Sequence, residues 1–208
     1  MYTKTQSKFL LAFAFLLLLP LTGWIGQATA KGENDKFMRG YKSYLKNDFK
    51  MALAHWIPLA EAGNTNAQYF LGIMYLNGQG TKKNWAEAAH WFQASAEQGD
   101  VGAQYLFGEM NLKGMGLVRD YRKAGIWFQK AARQGYPDAQ FRLGECYTDG
   151  EGCEANFILA YVWLKLAGAN GIQAGDEKRK QVETRLTEQE IRNANLLAYR
   201  WWVRLEEK

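Results

Sequence analysis

Histidine is nearly absent from this chain: His55 and His90 are the two in 208 residues. Neither has neighbours at metal-ligand spacing, and no Ser-His-Asp or paired-carboxylate arrangement suggests itself, so no cofactor or metal is expected. Three prolines and no low-complexity run leave no linker that would divide the chain. A strong excess of one charge is also missing. The formal net charge is +5, and it falls to +3 without residues 1–30, which hold Lys4, Lys8 and no acid. That balance gives no reason to expect nucleic acid as a partner. Cysteine is limited to Cys146 and Cys153, with none near the start where a lipid-anchored leader would need one.

Long apolar runs occur only at the beginning. Lys4 and Lys8 precede an apolar stretch over residues 9–19, Pro20 ends it, and Ala28-Thr29-Ala30 supplies small residues at a cleavage position. The pattern predicts a signal peptide over residues 1–30, cut before Lys31, and therefore export. The stretch is short for a membrane span of roughly 20 residues. No later stretch is apolar enough to cross a membrane.

What the chain does contain is a repeat. Ala67, Ala103 and Ala139 stand 36 residues apart, as do Gly72, Gly108 and Gly144, and Trp91, Trp127 and Trp163. The paired glycines 78 and 80, 114 and 116, and 150 and 152 keep the same step, as do Gly63, Gly99, Gly135 and Gly171. A fixed period of this size marks a solenoid whose units stack to build one core. Within the first full unit, Ala67, Leu71, Gly72 and Tyr75 give residues 66–77 one apolar helical face. Gly78-Gln79-Gly80 breaks that helix, and Asn84 then stands where an N-cap belongs, in register with Asp48, Asp120 and Asn156. A second helix to about residue 98 carries Ala88, Trp91, Phe92 and Ala96 before Gly99. Small residues at 72, 88 and 96 facing large ones at 75, 91 and 92 suit close antiparallel helix packing.

These residues carry a resemblance. Ala67-Gln68-Tyr69-Phe70-Leu71-Gly72-Ile73-Met74-Tyr75, followed by Gly78-Gln79-Gly80, Ala88, Trp91, Ala96 and Gly99, resembles the Sel-1-like repeat, a relative of the tetratricopeptide repeat. It recurs from Ala103 and from Ala139, and an earlier unit with a shorter loop fits Gly40, Asp48, Ala52, Trp56, Ala60 and Gly63. Asn111 departs from the tyrosine position, and Cys153 replaces the threonine or leucine of other units. The resemblance implies an all-α, right-handed α/α solenoid of about four helix-hairpin repeats. Its units span residues 34–65, 66–101, 102–137 and 138–172, within an array of residues 31–172.

The tail over residues 173–208 reads as a capping helix pair. Ile191, Ala194, Ala198, Trp201 and Leu205 form one helical stripe, and Thr187-Glu188-Gln189-Glu190 offers a capping box. A terminal element with one polar side is what the last apolar face of a solenoid needs. Alternatively, one indole of the adjacent Trp201 and Trp202 enters a partner site.

An oxidising compartment and an even cysteine count favour a disulfide between Cys146 and Cys153, in one hairpin. Two buried free thiols, too far apart to bond, are the other reading.

In tetratricopeptide-like arrays the first helix of each pair lines the concave face. By that resemblance Phe37, Tyr69, Tyr105 and Phe141 form a row, with Tyr41, Ile73, Glu109 and Glu145 beside it. The row is either a groove for a protein or peptide partner or packing between repeats. The implied function is an exported scaffold, periplasmic or secreted, for protein–protein interaction in envelope signalling, secretion or polysaccharide export. The alternative is an enzyme, because some exported members of the family have been described as β-lactamase-like or penicillin-binding. Its one foothold is the S-x-x-K pattern of Ser43 and Lys46, with neither S-D-N nor K-T-G beside it.

Overall fold

The computed structural model describes residues 19–207, with side chains from residue 32 onward. Ten helices and no strand are found among the described residues. Four hairpins follow one another: α1 (Leu19–Leu45) with α2 (Phe49–Glu61), α3 (Thr65–Asn77) with α4 (Trp85–Glu97), α5 (Val101–Lys113) with α6 (Tyr121–Ala132), and α7 (Pro137–Asp149) with α8 (Phe157–Ala169). Through these hairpins each helix packs mainly on its neighbours in the chain, as stacked repeats require. The expected cut between Ala30 and Lys31 falls within α1, and residues 1–18 lie outside the described residues. No described helix is long and apolar enough to cross a membrane.

Local chemistry fixes where the helices start. Asp48, Asn84, Asp120 and Asn156 each accept a backbone N–H from the first turn of the following second helix, as their register predicts. Asn64 and Asp100 do the same for the first helices α3 and α5. The second glycine of each G-x-G has two reasons to be glycine. Gly80 has φ of +70°, and a Cβ there would lie 2.7 Å from the Phe49 backbone at the start of the preceding second helix. Each hairpin loop is therefore also a spacer against the previous repeat.

The repeated glycine inside each first helix serves packing. A Cβ on Gly72 would come within 2.6 Å of the Phe92 ring, and Gly108 and Gly144 stand in the same relation to Phe128 and Leu164. Trp56 occupies this slot over Gly40 in the first unit and donates its indole N–H to Phe37 O at 3.1 Å. Trp56 and Phe92 are fully buried at the centres of their hairpins.

A polar ladder runs through the same core. Gln68, Gln104 and Gln140 are buried, and each donates its amide N–H back to Ala60 O, Ala96 O or Ala132 O (3.0, 3.2 and 3.5 Å). Those carbonyls belong to the last turns of the preceding second helices, where intrahelical donors run out. Each glutamine oxygen in turn accepts from Gln98, Gln134 or Asn170 (2.7, 2.8 and 2.9 Å) at the end of its own hairpin. One side chain thus joins three helices across a repeat boundary.

The tail begins in phase with the array. α9 (Gln173–Glu183) packs on α8 and touches α7, as the first helix of a fifth hairpin would. Gly175 stands 36 residues after Ala139 and is buried against the α8 backbone. Departure from the period comes later than the sequence suggests, at α10 (Glu188–Glu206), which lies against α8. The capping box is present, with Thr187 and Glu190 exchanging hydrogen bonds. Ala194 and Ala198 are buried, and Trp201 packs on Trp163 with ring centroids 5.1 Å apart. Trp202 is half-buried and lines a cavity of about 180 Å³ with Leu166, Ala169 and Tyr199.

Candidate partner-binding face

The first helices α3, α5 and α7 bring most of the sequence-predicted site residues onto one face. Tyr69 and Ile73 on α3 are half-buried and pack on the core formed by Ala88, Phe92 and Phe107. Tyr105 on α5 and Phe141 on α7 are half-buried against the next core. Phe37 and Tyr41 on α1 are half-buried as well. Phe37 stacks on Trp56 (5.7 Å), as Tyr69 rests on Phe92 and Tyr105 on Phe128, and Phe37 and Tyr41 both pack against Phe70 of the next hairpin. The two readings of the row therefore mix: each ring rests on a repeat boundary with its other side partly open.

Beside the row, charges pair among themselves. Glu109 is buried and meets Lys113 one turn on, while Arg142 Nε lies 2.7 Å from Glu109 Oε1 at an ion-pair contact without hydrogen-bond angles. Arg142 also donates to Glu109 Oε2 (3.3 Å) and to Glu145 (2.9 Å). Lys178 on α9 then bridges Glu145 (3.0 Å) and Asp149 (3.2 Å). Burial works against both cations, but hydrogen bonds and charge from these carboxylates outweigh it and hold Arg142 and Lys178 above their ordinary pKa values. Glu109 and Glu145, expected as groove residues, are thus tied into a lattice across α5, α7 and α9. The face changes character along its length, from aromatic and aliphatic at Tyr69 and Ile73 to internally neutralised charge at Arg142 and Lys178.

Tyr105 sits where the two halves meet. Burial, then the negative charge of Glu109 and Asp138, pushes its phenol up to about 12 despite the opposing effect of Arg142. The folded value lies above the ordinary 10, so the stability it contributes is complete below pH 10 and is lost as pH rises toward 12. Tyr105→Phe is expected to flatten the fall in urea midpoint over that window relative to the parent protein. Identical slopes for the two proteins would place the hydroxyl in ordinary solvent.

The two cysteine sulfurs lie at bonding distance, with Cα atoms 5.5 Å apart, so the hairpin geometry meets the disulfide expectation. The bridge lies against Gly125 of α6, where a Cβ would come within 3.1 and 3.2 Å of the two sulfurs. Peptide mapping without reductant should recover the two cysteines linked. Replacing both with serine should cost roughly 2 kcal/mol, the low end expected for so short a loop. Free, alkylatable thiols in the purified protein would contradict the bridge.

Ser43 is half-buried in the last turn of α1, Lys46 is exposed beyond the helix, and no hydrogen bond joins their side chains. No group of three or more potential metal ligands occurs among the described residues.

Residues 65–100, 101–136 and 137–172 each match the Sel1 repeat, and the chain belongs to that family. The chain is similar to the crystal structure of a Sel1 repeat protein from Oxalobacter formigenes: 29% identity, 67% of this chain, 57% of that one, TM-score 0.63. A second solved structure is c5321, a protective antigen present in uropathogenic Escherichia coli strains that displays an SLR fold. There the identity is 28% over 88% of this chain and 50% of that one, with a TM-score of 0.52. The chain therefore spans about half the length of either protein. It has no significant match among curated proteins. The fold and the family fit a scaffold for protein–protein interaction.

Proposed function

We propose that this chain is an exported, periplasmic scaffold that holds a protein or peptide partner against its first-helix face, around Tyr69, Ile73 and Tyr105. One observation carries the reading. Glu109, Arg142, Glu145 and Lys178 pair with one another on this face, whereas the aromatic and aliphatic positions beside them stay partly open. A binding face uses such a combination, because apolar contact supplies affinity and a pre-neutralised charged border adds little desolvation cost. Aromatic rings with a polar tip are well suited to it.

Two measurements test this proposal. N-terminal sequencing of the purified protein should begin at Lys31, and a start at Met1 would defeat the export argument. A photo-crosslinking residue placed at Ile73 in intact cells should capture a defined partner. The same residue at Pro58, exposed on a second helix, should not. Equal capture from both positions, or capture from Pro58 alone, would move the binding surface to the second-helix side.

A further inference from the structure

Position 136 breaks a local rule. Its equivalents one and two repeats earlier, Asp100 and Asn64, cap their helices, but Tyr136 makes no side-chain cap hydrogen bond. Such departures from local preference tend to mark functional or strained positions. Freed from capping, the Tyr136 ring lies over Tyr105, with centroids 5.0 Å apart. A second departure stands one repeat back. Gly102 replaces the asparagine and aspartate found at 66 and 138, and a Cβ there would lie 3.0 Å from the Tyr69 ring and 3.5 Å from Asp100 Oδ1. The missing side chain thus lets Tyr69 settle beside Asp100. Tyr69, Tyr105 and Tyr136 are all half-buried, each with part of its surface open.

Two carboxylates accompany the rings, Asp100 and the exposed Asp138. No ion pair reaches either of them among the described residues, and Asp100 Oδ1 alone is engaged, by Ala103 N at 2.7 Å. Arg142, on the same face, is committed to Glu109 and Glu145. Each carboxylate carries a full charge against about half a charge at its helix N-terminus, so the local field stays negative. Beyond burial, the phenols feel this field. Tyr136 and Asp100 push Tyr69 up, and Asp138 and Asp100 push Tyr136 up.

We infer that Tyr69, Tyr105 and Tyr136, with Asp100 and Asp138, form a subsite for the cationic side chain of an arginine or lysine in the partner. Aromatic faces attract a cation through their quadrupoles, and unpaired carboxylates complete its neutralisation. This inference rests on the first-helix face being the binding face and names the chemistry that face selects.

The test uses the full protein with ¹³C-labelled tyrosine rings, titrated with acetyl-Gly-Arg-Gly-amide and its lysine, glutamine and glutamate counterparts. The arginine and lysine peptides should shift the Tyr69, Tyr105 and Tyr136 resonances, and the neutral and acidic ones should not. D100N with D138N should weaken the arginine peptide about tenfold, the loss of two charge-assisted contacts. Asparagine already caps α3 from Asn64, so the fold is retained in that variant. No shift with arginine, an equal shift with glutamine, or unchanged affinity in the double variant would overturn the subsite. A response to spermidine without a response to either basic peptide would also overturn it. The two proposals fail separately. Partner capture from Ile73 that is indifferent to D100N and D138N leaves the face and removes the subsite. Arginine-peptide binding without capture from Ile73 does the reverse.

Discussion

Phe92→Ala is expected to lower the free energy of unfolding by about 3–5 kcal/mol, the usual cost of truncating a large aromatic in a closed core. The ring is fully buried, and it fills the space that Gly72 leaves on the facing helix. Gly72→Ala should also destabilise, although alanine is the better helix former by about 1 kcal/mol. The added methyl would have to occupy a position 2.6 Å from the ring. Combined, the two changes should cost less than their sum, because the methyl enters the space the ring vacated. Urea denaturation of the two single variants and the double variant gives the coupling directly. A neutral or stabilising Gly72→Ala would show that the helices do not approach so closely.

Gln104→Ala is expected to cost about 2–4 kcal/mol, combining lost hydrogen bonds with the cavity left behind. Gln104 is buried and holds Ala96 O of the preceding hairpin and the Gln134 amide of its own. Gln104→Leu roughly keeps the volume and isolates the polar contribution, so it should fall between the parent protein and the alanine variant. Stacked repeats depend on their interfaces, and this side chain crosses one. The variant should therefore also narrow the cooperativity of unfolding, seen as a lower m value or as separate transitions by different probes. If Gln104→Leu matches the parent in both midpoint and m value, the ladder is incidental to the stack.

The candidate face was only partly legible in the sequence. Register placed Tyr69, Ile73 and Tyr105 on one side, because residues four apart on a helix share a face. It also placed Phe37 there, and that ring packs on Trp56 as Tyr69 packs on Phe92. The links from Glu109 to Arg142 and from Glu145 to Lys178 were not legible, because each spans 33 residues of chain. The signal that could have been found is at 136 and 102, where a capping register ends in tyrosine and a polar register is interrupted by glycine.

By itself the sequence determined everything that repeats or that is local. The 36-residue step gave the hairpins, the polar residue before each second helix gave its start, and the glycines gave the turns, because each depends on neighbours within a few residues. The tertiary structure alone decided which atoms meet when the units stack. It brought the glutamines of one unit to the helix ends of another, closed the charged lattice across three first helices, seated the cysteine pair against Gly125, and set α9 in phase with the array before α10 turned back along α8. Those contacts join residues that are distant in the chain, and a pairing between side chains is determined by the space they come to share.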